Sequence, residues 1–211
     1  MPLSRRDALV LGGAVAAGGA ATWWLQSRPP PARRLEMTPV VRAVLGDRGS
    51  PHAGAQAPDV TVVVFTDYQC GICKATDGAL SDLIAADPGV RVIYKDWPIR
   101  GPESDLAARH ALAADRQGRY LPLHQALMAL AGPLDVVRLD DAAREAGLDM
   151  SRLAADLETH AAAIDAQLRS HAMQAFSLGL AGTPAYLVGP YLIEGGLDAG
   201  ALAKAVRRAR R

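Results

Sequence analysis

Cys70 and Cys73 are the only thiols in a chain of 211 residues, and just Gly71 and Ile72 separate them. A disulfide between residues this close clips a tiny loop and removes little chain entropy, so it is a poor staple. The spacing suits reversible sulfur chemistry better: one thiolate attacks a disulfide and the second cysteine resolves the mixed species. A structural zinc ion would want about four nitrogen or sulfur ligands. The histidine nearest in sequence is His52, in the loop ahead of the pair. No metal and no cofactor are therefore expected; the disulfide itself carries two electrons.

The pair sits where two elements meet. Asp59 to Phe65, DVTVVVF, is a β-branched run without alternation, as in a strand buried on both faces. After the pair, Lys74 to Ala86 places Leu80, Leu83 and Ile84 at helical spacing, and Asp87-Pro88-Gly89 stops it. Val90 to Ile99 reads as a second strand. Cys70 thus falls at a helix N-terminus, where unpaired N–H groups and the dipole stabilise a thiolate. Cys70 is expected at the exposed end as nucleophile, with Cys73 one turn in, partly buried, as the resolving thiol.

Further on, Ala185 to Gly189 and Tyr191 to Gly196 read as a hairpin about Gly189-Pro190, and a closing helix follows Asp198 as N-cap. Between the strands lies a long Ala- and Leu-rich block, most of it helical by pattern, holding His110, His124, His160 and His171. Surface or packing roles are expected for all four, and Asp140-Asp141 is expected at a helix start. Lys and Arg (23) nearly balance Asp and Glu (22), for a net charge of +1, which argues against a nucleic-acid binder driven by phosphate neutralisation. The tail Val206 to Arg211, VRRARR, reads as a solvated helix end.

Residues 1–27 carry Arg5-Arg6 and then an apolar, small-residue run, the shape of an export signal similar to the twin-arginine type. The run over 8–25 is long enough to remain as a membrane anchor, and either outcome places the rest of the chain in the periplasm or another extracytoplasmic space. Residues 28–56, rich in Pro, Gly and Arg, read as a linker, with a short strand or helical turn within Met37 to Gly46.

Taken together, FTDYQCGICK (Phe65 to Lys74), VRVIYKDWPI (Val90 to Ile99) and GTPAYLVG (Gly182 to Gly189) resemble the DsbA-type members of the thioredoxin superfamily, over about residues 57–208. The resemblance implies an α/β thioredoxin-like fold with an inserted helical subdomain: a core of 57–100 and 175–211, and an insertion of 101–174. It implies a cis proline at Pro184, preceded by Thr183, beside the cysteines and shaping a substrate site. It also implies an oxidoreductase that exchanges its disulfide with cysteine-containing protein substrates and is reset by a redox partner. Oxidation is the expected direction. Alternatives are a reductase or isomerase on the same fold, or a non-catalytic peptide-binding module or holdase.

Two positions depart from the family. Ile72 stands where strong oxidants carry histidine, and offers the neighbouring thiolate no charge. Val64 stands where relatives carry a buried acid, leaving Asp67, Lys95 and Asp96 as the nearest ionisable side chains in sequence.

Overall fold

The computed structural model describes residues 30–211; the export signal or anchor read over 1–27 lies outside them. At the centre, strands β3 (Val60–Thr66) and β4 (Val90–Asp96) pair in parallel, from Val60 opposite Val90 to Thr66 opposite Asp96. Strand β5 (Ala185–Val188) runs antiparallel to β3, and β6 (Tyr191–Glu194) turns back on it through Gly189-Pro190. Strands β1 (Ala32–Arg34) and β2 (His52–Gly54) cover the edges, giving the order β1-β6-β5-β3-β4-β2.

The pleat sends alternate residues of β3 to opposite faces. Val62 and Val64 join the core beneath helices α2 (Gly71–Thr76), α3 (Gly78–Ala86) and α9 (Ala199–Ala209). Val63 and Phe65 join a second core beneath α1 (Pro39–Leu45) and the end of α8 (Ala161–Ser177). Covered on both sides, the strand has no polar face, which is why its sequence does not alternate. Each such side chain contributes about 1.5–3 kcal/mol by leaving water.

Of the segment expected as a linker, 28–56, the described residues 30–56 are part of the folded unit. They supply β1, α1 and β2. Thr38 caps α1 and Pro39 occupies its first turn, and Val41 and Val44 are buried. A buried polar cluster fastens this segment down. Lys95 on β4 is ion-paired to Asp47 and lies 2.9 Å from Ser50 Oγ. Ser50 in turn lies 2.9 Å from His171 Nε2. His171 Nδ1 is 3.0 Å from the Asp96 carbonyl, which only accepts, so Nδ1 carries the proton; Ser50 Oγ also donates to Asp47 Oδ2 at 3.0 Å, so its one proton lies between Asp47 and His171 Nε2. Pro and Gly marked turns here, not absence of structure.

Between β4 and β5 run α4 (Pro102–Asp115), α5 (Tyr120–Ala129), α6 (Val136–Glu145), α7 (Met150–Thr159) and α8. Their core, including Leu112, Leu123, Leu127, Leu139 and Leu153, is continuous with the sheet core at Tyr94 and Tyr120. The expected boundary at 174/175 falls inside α8, which runs from this block onto the second face of the sheet. Asp135, not Asp140-Asp141, caps α6; the pair sits mid-helix against Arg144. Nor is the basic tail wholly solvated. Arg210 forks onto Asp59 and Asp87 at 2.7–2.9 Å, and Arg208 stacks 4.3 Å above the Tyr191 ring.

Candidate active site

Strand β3 ends at Thr66, and a four-residue turn delivers Cys70 to the first turn of α2. Asp67 builds that turn. Its carbonyl accepts the Cys70 N–H at 3.1 Å. Its buried carboxylate accepts from the N–H groups of Gln69 (2.7 Å), Ile99 (2.7 Å) and Arg100 (3.0 Å), and from the Ser104 hydroxyl. One side chain thus ties the turn before Cys70 to the loop after β4. The sequence marks Asp67 only as a nearby ionisable side chain and does not reveal this anchoring role; the available signal is an Asp three residues before the N-cap, able to accept the N–H two residues on.

Cys70 is itself the N-cap of α2, its Sγ accepting the Cys73 N–H at 3.2 Å. Its thiol also faces the Thr183 carbonyl at 3.4 Å, across the cis Thr183–Pro184 bond. The two cysteines are both free thiols here. Burial, aided by the hydrogen bond Cys73 donates to Cys70, pushes the Cys73 thiol up to about 12, so it stays protonated at neutral pH. The expectation that Cys70 would be exposed is not met: neither sulfur-bearing residue is open to solvent. Capping explains this, because an Sγ that accepts the Cys73 N–H points into the helix start and under the 181–184 loop.

The structure therefore brings all four sequence-derived residues, Cys70, Cys73, Thr183 and Pro184, to one place. Ile72 is 55% exposed, with its Cγ2 against the Gly195-Gly196 turn. A Cβ on Gly196 would come within 2.8 Å of Ile72 Cγ2 and Thr76 Cγ2, so only glycine lets that turn approach the helix so closely. Val64 points into the core and supplies no acid. Lys95 belongs to the cluster on the far face of the sheet. Asp96 lies on the near face, accepting from Tyr120 Oη at 2.9 Å, and burial raises its pKa to about 6.

Beside Asp96 lies a second buried chain of polar groups. His124, from α5, donates from Nε2 to Asp77 Oδ1 at 2.9 Å, at the one-residue break between α2 and α3. Its Nδ1 accepts from Tyr68 Oη at 2.9 Å. The His124 ring stacks on Tyr120 (centroids 5.5 Å, 18°) and meets the edges of Tyr68 and Tyr94. This cluster clamps the helical block onto the cysteine-bearing helix α2. Tyr68 and Asp77 were not singled out from the sequence, because their partner lies about fifty residues away.

Comparison with known proteins decides the family. The model of the DSBA-like thioredoxin domain matches residues 61–207. The chain belongs to this DsbA-like family of thiol–disulfide oxidoreductases. A thioredoxin-like oxidoreductase from Silicibacter pomeroyi is similar at 40% identity, with 80% of this chain and 96% of that chain covered, at a TM-score of 0.76. A periplasmic thioredoxin-like protein from Salmonella enterica serovar Typhimurium matches at 31% identity, 83% and 98% coverage, and TM-score 0.70. The thiol-disulfide exchange protein alpha-DsbA2 from Wolbachia pipientis matches at 28% identity, 79% and 90% coverage, and TM-score 0.76. Curated relatives are named Na(+)/H(+) antiporters; that of Salinispora arenicola is 29% identical over 165 residues. The chain spans about a quarter of the length of the antiporters it matches, 25% in that case. Among the described residues no helix is long and apolar enough to cross a membrane.

Proposed function

We propose that this DsbA-like chain works outside the cytoplasm, exported or held by residues 8–25, and that it oxidises cysteine pairs in protein substrates. Cys70 is the nucleophile of the reduced form and the atom attacked in the oxidised form; Cys73 is the resolving partner. A substrate thiolate attacks Cys70 Sγ, the Cys70–Cys73 bond breaks, and its electron pair passes to Cys73, which takes up a proton. A second substrate thiolate then attacks the substrate sulfur of the mixed disulfide, and Cys70 leaves as a thiolate. The substrate loses two electrons and the enzyme gains them. A separate redox partner removes them again. The substrate backbone lies across the Thr183–Pro184 edge while its cysteine engages Cys70.

The asymmetry of the two sulfurs carries this reading. Cys70 Sγ accepts the Cys73 N–H at the helix start and meets the Thr183 carbonyl, whereas burial and a hydrogen bond to Cys70 hold Cys73 protonated. A helix N-terminus favours a thiolate in general, and whatever stabilises the reduced state favours oxidation of substrates. Ile72 adds no charge, so the oxidising power is milder than that of relatives with histidine there.

The test is the reduction potential of the pair, read by equilibration with glutathione buffers. The expected value lies between about −270 mV, typical of thioredoxin, and about −120 mV, typical of a strong oxidant. A value at or below that of thioredoxin would make the chain a reductase.

A further inference from the structure

Immediately beside the catalytic turn, a groove of about 590 Å³ opens between α2, the loop after β4 and the loop before α6. Gln69, Gly71, Lys74, Ile99, Arg100 and Pro133 line it. Gln69 and Gly71 are the two chain neighbours of the buried Cys70, so the groove adjoins the turn that carries the nucleophile. It lies toward the helical block, away from the Ile72 side chain and the Gly195-Gly196 turn that Ile72 touches.

Its charge is one-sided. Lys74 Nζ donates to the Leu130 carbonyl at 2.5 Å, and Arg138, behind the groove, donates to the carbonyls of Ala131 (2.6 Å) and Pro133. Among the described residues, none of Lys74, Arg100 and Arg138 forms a salt bridge. Asp67 is the acid that acts on Lys74, and its carboxylate is already occupied by four donors. Burial, followed by the nearby Arg138, pulls the Lys74 pKa down, as expected for a cation that lacks a counter-ion. The wall is also rigid. Asp67 fixes the N–H groups of Ile99 and Arg100 and the N–H of Cys70 at once, so the cationic wall keeps a set distance from the sulfur. Ile99, 44% exposed, offers apolar contact next to the charges.

We propose that this groove binds an acidic side chain of the substrate close to its reactive cysteine, so that the enzyme selects cysteines flanked by Asp or Glu. The proposal rests on the thiol-exchange reading above. One helical turn separates Cys70 from Lys74, about 6 Å, and an extended peptide advances about 3.3 Å per residue. The acidic residue therefore stands one to three positions from the cysteine.

The experiment uses the oxidised protein and synthetic two-cysteine peptides that differ only in carrying Glu, Gln or Lys at each of three positions on either side of the first cysteine. Peptide oxidation is followed at low and high salt. At one or more positions the Glu peptide reacts about threefold to tenfold faster than its Gln twin, and the Lys peptide slower. The difference collapses at about 0.5 M salt. Arg100→Glu reverses the order, and Lys74→Gln reduces it. Equal rates for Glu, Gln and Lys at all positions would overturn the groove, as would a preference unchanged in Arg100→Glu. If no peptide is oxidised, the redox reading fails instead. Fluorescence anisotropy of labelled peptides with serine in place of cysteine then decides the groove alone: tighter binding of Glu than Gln peptides, lost in Arg100→Glu, supports it, and equal binding overturns it.

Discussion

Lys95 and Asp96 are neighbours in β4, and the pleat sends them to opposite faces, into two buried polar clusters of different kinds. Behind the sheet, Lys95 is balanced by Asp47 and joined by Ser50 and His171. In front, Asp96 has no cation in contact; it accepts from Tyr120, and its Oδ2 has no partner. The rear cluster is a charge pair that fastens residues 47–50 to the core. The front cluster is a set of phenols, an imidazole and carboxyls that locks the helical block onto the catalytic helix. Buried ionisable groups on one strand thus serve stability on one face and site geometry on the other.

The largest effect expected from this contrast lies at the rear. Lys95→Met leaves the Asp47 carboxylate without its cation and should cost about 3–5 kcal/mol in chemical denaturation. Adding Asp47→Leu should recover most of it. A single-variant loss below about 1 kcal/mol would mean the two charges do not depend on each other. The reduction potential of the cysteine pair should not follow these changes.

The next effect separates the clusters by pH. Burial, reinforced by Lys95, holds His171 down at about 4, against an ordinary 6.5. Its folded state binds the proton less readily, so stability is lost as pH falls from about 6.5 to about 4. Asp96 runs the other way. Its folded pKa of about 6 exceeds the ordinary 3.8, so its contribution is full below about 4 and is lost as pH rises toward 6. Each is worth on the order of 3 kcal/mol. They largely cancel in the native chain, which should show a flat stability profile across that window. Asp96→Asn should expose the His171 slope, with stability rising steeply from pH 4 to 6.5. An unchanged, flat profile in Asp96→Asn would break the contrast.

The smallest effect concerns the first turn of α2. Ile72→His should raise the reduction potential by about 30 mV, equivalent to about 1.4 kcal/mol, by placing a cation near the Cys70 thiolate. No change would mean that the side chain stays against Gly196 and does not act on the sulfur.

The sequence showed the strand–turn–helix, the hairpin and the cysteine pair because these are local: each signal fits within a dozen residues. The Pro184 site and the helical insertion came through resemblance, since neither composition nor periodicity brings residue 184 beside residue 70. What escaped were features made by distant partners. His124 meeting Tyr68 and Asp77, Ser50 meeting His171, and the folding of 30–56 onto the sheet all depend on contacts across tens of residues. The burial of Cys70 escaped for another reason: a helix N-cap was recognised, but not that its own sulfur would be the capping atom.

The most direct test of the central claim, the inequality of the two sulfurs, is trapping with single-cysteine variants. Cys73→Ala and Cys70→Ala are each incubated at pH 7 with a peptide disulfide, and adducts are mapped by mass spectrometry. Cys73→Ala should accumulate a stable mixed disulfide on Cys70, while Cys70→Ala, left with a buried thiol whose pKa burial pushes up, should form almost none. Adducts on Cys73 at a comparable rate would contradict the account.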